Sequence, residues 1–401
     1  MTRIVFSGGR LFDGTGADIA EADIAVENGR IAKVGSGLDG DEQVDVTGRT
    51  VLPGLFDCHT HITLSHVDIW RMVQTPFSYQ FFEAAKNLRA TLATGITTIR
   101  DAGGADLGVK QAVSEGLTPG PRLQISLGMI SQTGGHGDTW FPSGARLPLI
   151  ASHPGVPDTI VDGPDEMRRV VRRLVQHGAD VIKVATSGGV LSPGDQPHHA
   201  HFRDAELEAL VEEATAAGVW VMAHAQATDG IKAAVRAGIR SIEHGVYLDD
   251  QAIELMLERG TYLVPTLVAP TGVVAAADAG ASIPAAMVDK ARAVIDTHRD
   301  SFRRAVAAGV RVAMGTDSGV TPHGENLREL QLMAEGGMEP AEVLVATTRN
   351  AAELMGLGEE LGTLEPGKRA DLVVVRGDPL DFDGLAGRVE LVYKDAERVT
   401  V

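Results

Sequence analysis

Two histidines one residue apart, His59 and His61 in LPGLFDCHTHI, begin a series of side chains able to hold a metal ion. Lys183 in ADVIKVAT, His224 in VWVMAHAQ, His244 in SIEHGV and Asp317 in RVAMGTDSG continue it, each near the C-terminal end of an apolar, strand-like run. Side chains alternate along a strand, so Asp57, His59 and His61 share one face while Phe56 and Cys58 share the other. Two imidazoles then point together. Imidazole and carboxylate groups suit zinc, manganese or related divalent ions. An H-x-H pair alone fits equally well two polar residues ending a strand. Recurrence of such groups at the same end of several strands shifts the balance toward a site. Cys58, turned away from the histidines, reads as a buried, inert thiol rather than a ligand or nucleophile.

Lys183 stands between Ile182 and Val184, where an unpaired ammonium would be costly to bury. A salt bridge or a snorkelling side chain is the plain compensation. The sharper one is carbamylation by carbon dioxide, which turns the amine into a carboxylate able to bridge two cations. Burial lowers a lysine pKa and favours the neutral amine that this reaction needs.

These residues need elements to hold them together. Eight apolar runs, LPGLFDCHTHI, GITTIRDAG, RLQISLGMI, ADVIKVATSGG, GVWVMAHAQ, SIEHGV, TYLVPTLV and RVAMGTDSG, alternate with helical periods such as AELEALVEEATAAG and AIELMLERG. That order predicts βα units, a parallel sheet and a closed (β/α)8 barrel, whose active site lies at the C-terminal ends of its strands. Long connections rich in Gly, Pro and His follow the third and fourth strands and read as functional loops. Both ends of the chain differ in style, with short strands punctuated by Gly and Pro. Residues 1–52 and 360–401 are expected to form one composite β-sandwich domain beside a barrel over 53–359, because each set of edge strands needs partners.

Composition narrows the partners. Asp and Glu outnumber Lys and Arg 54 to 36, and the formal charge of -18 argues against nucleic acid or an anionic membrane surface. With 44% hydrophobic residues the chain can bury a sizeable core. One cysteine excludes an intrachain disulfide, and neither a signal-like start nor a spanning apolar stretch is evident, so a cytoplasmic protein is expected.

The motifs PGLFDCHTHI, DVIKVATSGGV, VMAHA, SIEHG, MGTDSG and TRNAAELMGLGEELGTLEPGKRADLVVV together resemble the amidohydrolase superfamily. The likeness is to its imidazolonepropionase-related branch, with metal-dependent Xaa-Pro and Xaa-Arg/Lys dipeptidases and ochratoxin-type amidases. It covers nearly the whole chain. The resemblance implies that His59, His61 and Asp317 hold one divalent ion, zinc by preference, that His224 and His244 hold a second, and that N6-carboxylated Lys183 bridges both. It also implies Asp317 as general base, hydrolysing the amide bond of a dipeptide or N-acyl amino acid without a covalent intermediate. The alternatives are another small amide, a cyclic amide, or a carbamate or urea-type compound. A catalytically dead binding subunit is disfavoured by the complete ligand set. Deaminases of the superfamily carry a Glu three positions after the fifth-strand His. Position 227 is Ala.

The resemblance also implies His136, in SQTGGHGD, and Tyr247, in EHGVY, as contacts for the substrate's carboxylate end. His198, His199 and His201 cluster in the fourth loop and read as a solvated loop rather than a further metal site. His323 and Arg328 follow the eighth strand and could face substrate. Trp70, Phe77, Tyr79, Phe81 and Phe82 are open to three readings: pocket wall, core helix or subunit contact in a homo-oligomer.

Overall fold

Apolar runs short enough to be strands and buried on both faces build the centre of the computed structural model, which describes residues 2–400. Leu55–Thr60, Ile96–Asp101, Arg122–Ile125, Val181–Ala185, Trp220–Ala225, Ser241–His244 and Tyr262–Val264 pair in parallel, and helices such as Tyr79–Ala93, Pro164–Gln176, Asp204–Ala216 and Asp250–Arg259 connect them. This is the (β/α)8 barrel expected from the alternation of strand and helix periods.

Two of the eight strands depart from the simple pattern. The third is broken after Ile125: its first part pairs with Ile96–Asp101, while Met129–Ile130 pairs with Val181–Ala185. Leu127 adopts a left-handed φ of 68° at the break, which swings the chain from one neighbour to the other. RVAMGTDSG forms no regular ladder. Its backbone closes the barrel instead through single bonds to both neighbours, Ala313 N to Leu263 O at 3.0 Å, Cys58 N to Met314 O at 2.9 Å and Asp317 N to His59 O at 2.7 Å. The segment runs close to its neighbours, because a Cβ on Gly315 would fall 2.4 Å from a Val264 methyl and 2.9 Å from His59 Cβ. Asp317 then turns out of the strand with φ 61°.

The chain ends form a β-sandwich. One sheet holds Arg30–Gly35, Asp23–Glu27, Ile4–Ser7 and Glu42–Asp45; in the other, Arg49–Pro53 lies between Leu372–Arg376 and Arg10–Leu11, so N- and C-terminal strands share a sheet. Phe6, Ile24, Ile31, Val51, Leu372 and Val374 fill the space between the sheets, and Phe6 meets Tyr393 edge-on at 4.8 Å. Arg122, from the third barrel strand, pairs with Asp371 and Asp395 of the sandwich, tying the two parts. No helix among the described residues is long and apolar enough to cross a membrane.

Candidate active site

The first strand carries His59 and His61 to the mouth of the barrel, and the closing segment brings Asp317 against them. His61 Nε2 lies 3.2 Å from Asp317 Oδ1 and His59 Nε2 lies 3.5 Å from the same oxygen. Lys183, on the fourth strand, places Nζ 3.4 Å from His59 Nε2. His224 and His244, on the fifth and sixth strands, sit with ring centroids 4.6 Å apart, and His244 is 5.1 Å from His59. Ligand atoms of His59, His244 and Asp317 lie within 4.8 Å of one another. All six residues named from the sequence thus line one cavity of about 430 Å³, with His61 and His224 flanking the central three.

The donor chemistry fits divalent ions. A ligating imidazole normally gives its other nitrogen to a protein acceptor. His59 Nδ1 donates to Glu243 Oε2 at 2.8 Å, His61 Nδ1 to the Gly103 carbonyl at 2.8 Å, and His224 Nε2 to the Gly188 carbonyl at 3.1 Å. His244 Nδ1 pairs with Thr266 Oγ1 at 2.7 Å. Each ring therefore keeps one nitrogen for a cation. Burial, reinforced by neighbouring positive groups, holds His59, His224 and His244 well below the usual imidazole range, so their lone pairs are free. Burial works against a charged His61 as well, but the hydrogen bond and charge of Asp317 prevail and raise it. Asp317 is depressed despite its burial, with the hydrogen bond and charge of His61 among the causes.

Lys183 neither snorkels nor finds an ion-pair partner among the described residues. It is 1% exposed, so its ammonium does not snorkel, and among the described residues no carboxylate oxygen lies within 4.0 Å of Nζ. Burial lowers its pKa to about 8, against the pull of Glu243 and Asp317. A buried lysine without an ion pair, surrounded by imidazoles, is in the setting that favours a neutral amine and its carbamylation.

Local backbone strain accompanies the ligands. His244 has φ 74°, Thr266 φ 52° and Asp317 φ 61°, all in the left-handed region that non-glycine residues avoid. At His244 the turn breaks strand alternation.

Beneath the ligands lies a network that the sequence reading missed. Glu243 holds His59 with one oxygen and takes Arg100 Nη2 on the other at 2.9 Å, while Arg100 also donates to the Cys58 carbonyl at 2.7 Å and to Ser241 Oγ at 3.2 Å. Arg100 and Glu243 are fully buried. Charged residues inside two apolar runs, TTIRD and SIEHG, were the available signal. Asp57 serves the backbone: it accepts from Thr316, Asn326 and the His59 amide, bracing the first strand against the closing segment. Cys58 is buried against Phe56, Val264 and Ala351, and burial pushes its thiol up to about 12.

The remaining sequence candidates separate. His136 reaches the cavity and stacks on His224 with centroids 4.1 Å apart and planes at 18°. Tyr247 packs against the Val67, Val190 and Val246 cluster beside the cavity rather than lining it. His198 and His199 are exposed and pack edge-on at 4.6 Å. His201 is buried, and burial lowers it to about 4. His323 donates to the Leu64 carbonyl at 3.0 Å, and Arg328 is exposed; neither lines the cavity. Trp70, Phe77, Tyr79 and Phe82 are largely exposed, which removes the core-helix reading for them, and they too lie outside the large cavity; Phe81 is half-buried against the core.

The long third connection supplies a wall that is apolar through Pro148, Leu149, Ile150, Val156 and Ile160 and charged at Asp138, Arg146 and Asp158. Val190, Val246, Ala269, Val273 and Val294 add a further apolar surface. Such a cavity, with a cluster of ligating groups, largely apolar walls and a few charged residues, fits a small organic substrate.

The Amidohydrolase family model matches residues 50–399. Ochratoxinase from Aspergillus niger is 34% identical over 396 residues, an alignment covering 94% of this chain and 82% of the ochratoxinase. Among solved structures, a Xaa-Pro dipeptidase with methionine in its active site superimposes with a TM-score of 0.89 at 32% identity, covering 99% of both chains. A prolidase complexed with N-methylphosphonate-L-proline gives a TM-score of 0.91 at 35% identity, again over 99% of both.

Proposed function

The chain belongs to the amidohydrolase family and is a hydrolase of carbon–nitrogen bonds, and from that premise we propose that it cleaves the amide bond of a dipeptide or N-acyl amino acid bearing a free carboxylate. The observation that carries this reading is the convergence of His59, His61, Lys183, His224, His244 and Asp317 on one end of an apolar-walled cavity. The relatives support it: a dipeptidase and a prolidase share the fold over its full length.

His59, His61 and Asp317 would hold one divalent ion and His224 and His244 a second, with carboxylated Lys183 bridging them. Bound there, the ions would make water nucleophilic near neutral pH and polarise a carbonyl. The protein's own groups do the rest. Asp317, kept ionised at the mouth of the barrel, accepts the proton of the attacking water at a carboxylate oxygen and returns it to the departing amine. Glu243, fixed by Arg100, holds His59 in the tautomer with Nε2 toward the cavity. The apolar walls exclude water and pack the acyl side, while His136 meets the acid end. In this reading the catalytic residues belong to the barrel of 53–359, and the sandwich of 1–52 with 360–401 carries none of them.

Hydrolysis of a library of Xaa-Pro, Xaa-Arg and Xaa-Phe dipeptides, their C-terminal amides and cyclic amides by zinc-loaded protein tests the proposal. Turnover of free acids above their amides supports it. Preference for cyclic amides or carbamates would move the substrate to the second class, and equal activity of loaded and metal-stripped protein would remove the mechanism.

A further inference from the structure

The helix Ala285–Ala308 is the longest of the described chain, at 24 residues, and packs beside the loops that follow the fourth and sixth strands. Lys290, His298, Ser301 and Arg304 fall on it at intervals of eight, three and three, which at roughly 100° per residue keeps all four within an arc of about 120°, on one face. All four use their side chains in the same way. Each donates to backbone carbonyls of a loop that carries site residues.

Lys290 Nζ donates to the carbonyls of Gly189 at 2.8 Å, Ser192 at 2.7 Å and Asp195 at 3.2 Å. Three carbonyls match an ammonium's three donors, and the Asp195 carboxylate stands 3.6 Å away as its counter-charge. The loop so held is the one against which His136 rests. Ser192 donates its hydroxyl to the Asp195 carboxylate, leaving its oxygen to accept from His136 Nδ1 at 2.9 Å. A Cβ on Gly189 would fall 2.4 Å from the His136 ring, so loop and ring are in direct register. Gly188 in the same loop accepts from His224 Nε2.

Further along the helix, His298 Nε2 donates to the His244 carbonyl at 2.9 Å and Ser301 Oγ to the Val246 carbonyl at 2.7 Å. Arg304 donates to the Leu248 carbonyl. The His244 bond acts on a residue whose left-handed φ needs outside support. Buried backbone carbonyls must be paired, and loops rarely pair their own. Here one helix does it for two loops, and the donors are side chains, which fixes each loop at a set distance from the helix axis.

We propose that Lys290 is a positioning residue for substrate recognition through His136, and that His298 and Ser301 are positioning residues for the metal end through His244, the helix setting both from one rigid stripe. The substrate half rests on the reading of His136 as the contact for the acid end; the metal half does not.

Lys290→Met keeps the unbranched stem as far as Cε and removes the ammonium with its three donors. Measured on the zinc-loaded protein, it raises KM for free-acid substrates about tenfold, leaves kcat within about twofold and leaves KM for amidated substrates unchanged, with Lys290→Arg restoring most of the loss. Ser301→Ala does the reverse: KM holds, while the affinity for one of two zinc ions, read by metal titration, falls about tenfold. Hydrogen exchange supplies a readout that needs no substrate. Lys290→Met speeds exchange in 188–196 and spares 244–248, and Ser301→Ala shows the opposite pattern. A localised exchange effect without any carboxylate-selective change in KM would keep the positioning role and overturn the reading of His136. Uniform loss of stability in both variants, with kcat, KM and zinc affinity moving together or not at all, would overturn the proposal.

Discussion

The two ends of the cavity are built by different means. At the ligand end, His59, Lys183, His224 and His244 stand on parallel strands whose register fixes them to one another: Lys183 lies opposite Met222, and Ala225 opposite His244. At the substrate end, His136 and the wall from Thr139 to Ile160 sit on a connection held by isolated bridges, such as Trp140 with Arg146 and His153 with Val156. Strand ends give precision that loops do not. The comparison predicts that chemistry resides in the ligand end and discrimination in the loops, and that substitutions at the two ends change different kinetic constants.

The largest effect is expected where ladder and chemistry coincide. Lys183→Ala should lower kcat at least about a thousandfold, as removal of a group engaged in the transition state does, with the fold intact by circular dichroism. Near-normal turnover would break the comparison at its stronger end. Glu243→Gln, one step below, should cost about 10–100-fold in zinc affinity or kcat, because it loosens His59 without removing it. An effect as large as that of Lys183→Ala would place Glu243 in the reaction itself. His136→Ala should raise KM about tenfold for free acids and leave kcat within about twofold; a kcat effect of equal size would erase the distinction between the ends. Smallest of all, replacing His198 and His199 together by Ala should leave zinc content and turnover unchanged, since both are exposed. Loss of an ion would make that loop a metal site after all.

The same contrast decides what was legible in the sequence. His59, His61, Lys183, His224, His244 and Asp317 end or interrupt apolar runs, and strand periodicity alone places such residues at one mouth of a barrel. The sandwich was legible because Arg49–Pro53 and Leu372–Arg376 share the Gly- and Pro-punctuated style of edge strands seeking partners. The closing segment at RVAMGTDSG was read as a strand like the others. Its close approach at Gly315 and the left-handed turn at Asp317 are tertiary features that no local pattern carries. Arg100 and Glu243 escaped notice because a charge within an apolar run announces burial with a partner but not which partner. Loop residues were hardest. Tyr247 packs against the Val67 cluster, which no local pattern announces, and Lys290, far along the chain on a helix, gives no sign that it serves the fourth loop.

The central claim is that carboxylated Lys183 bridges two divalent ions, and carbon-13 NMR of protein reconstituted with zinc and labelled bicarbonate tests it most directly. The account predicts one protein-bound carbamate signal per chain, appearing together with about two bound zinc ions and absent from Lys183→Arg, whose guanidinium stays protonated. Two ions bound with no carbamate signal, or a Lys183→Arg variant that keeps both ions and normal turnover, would contradict it.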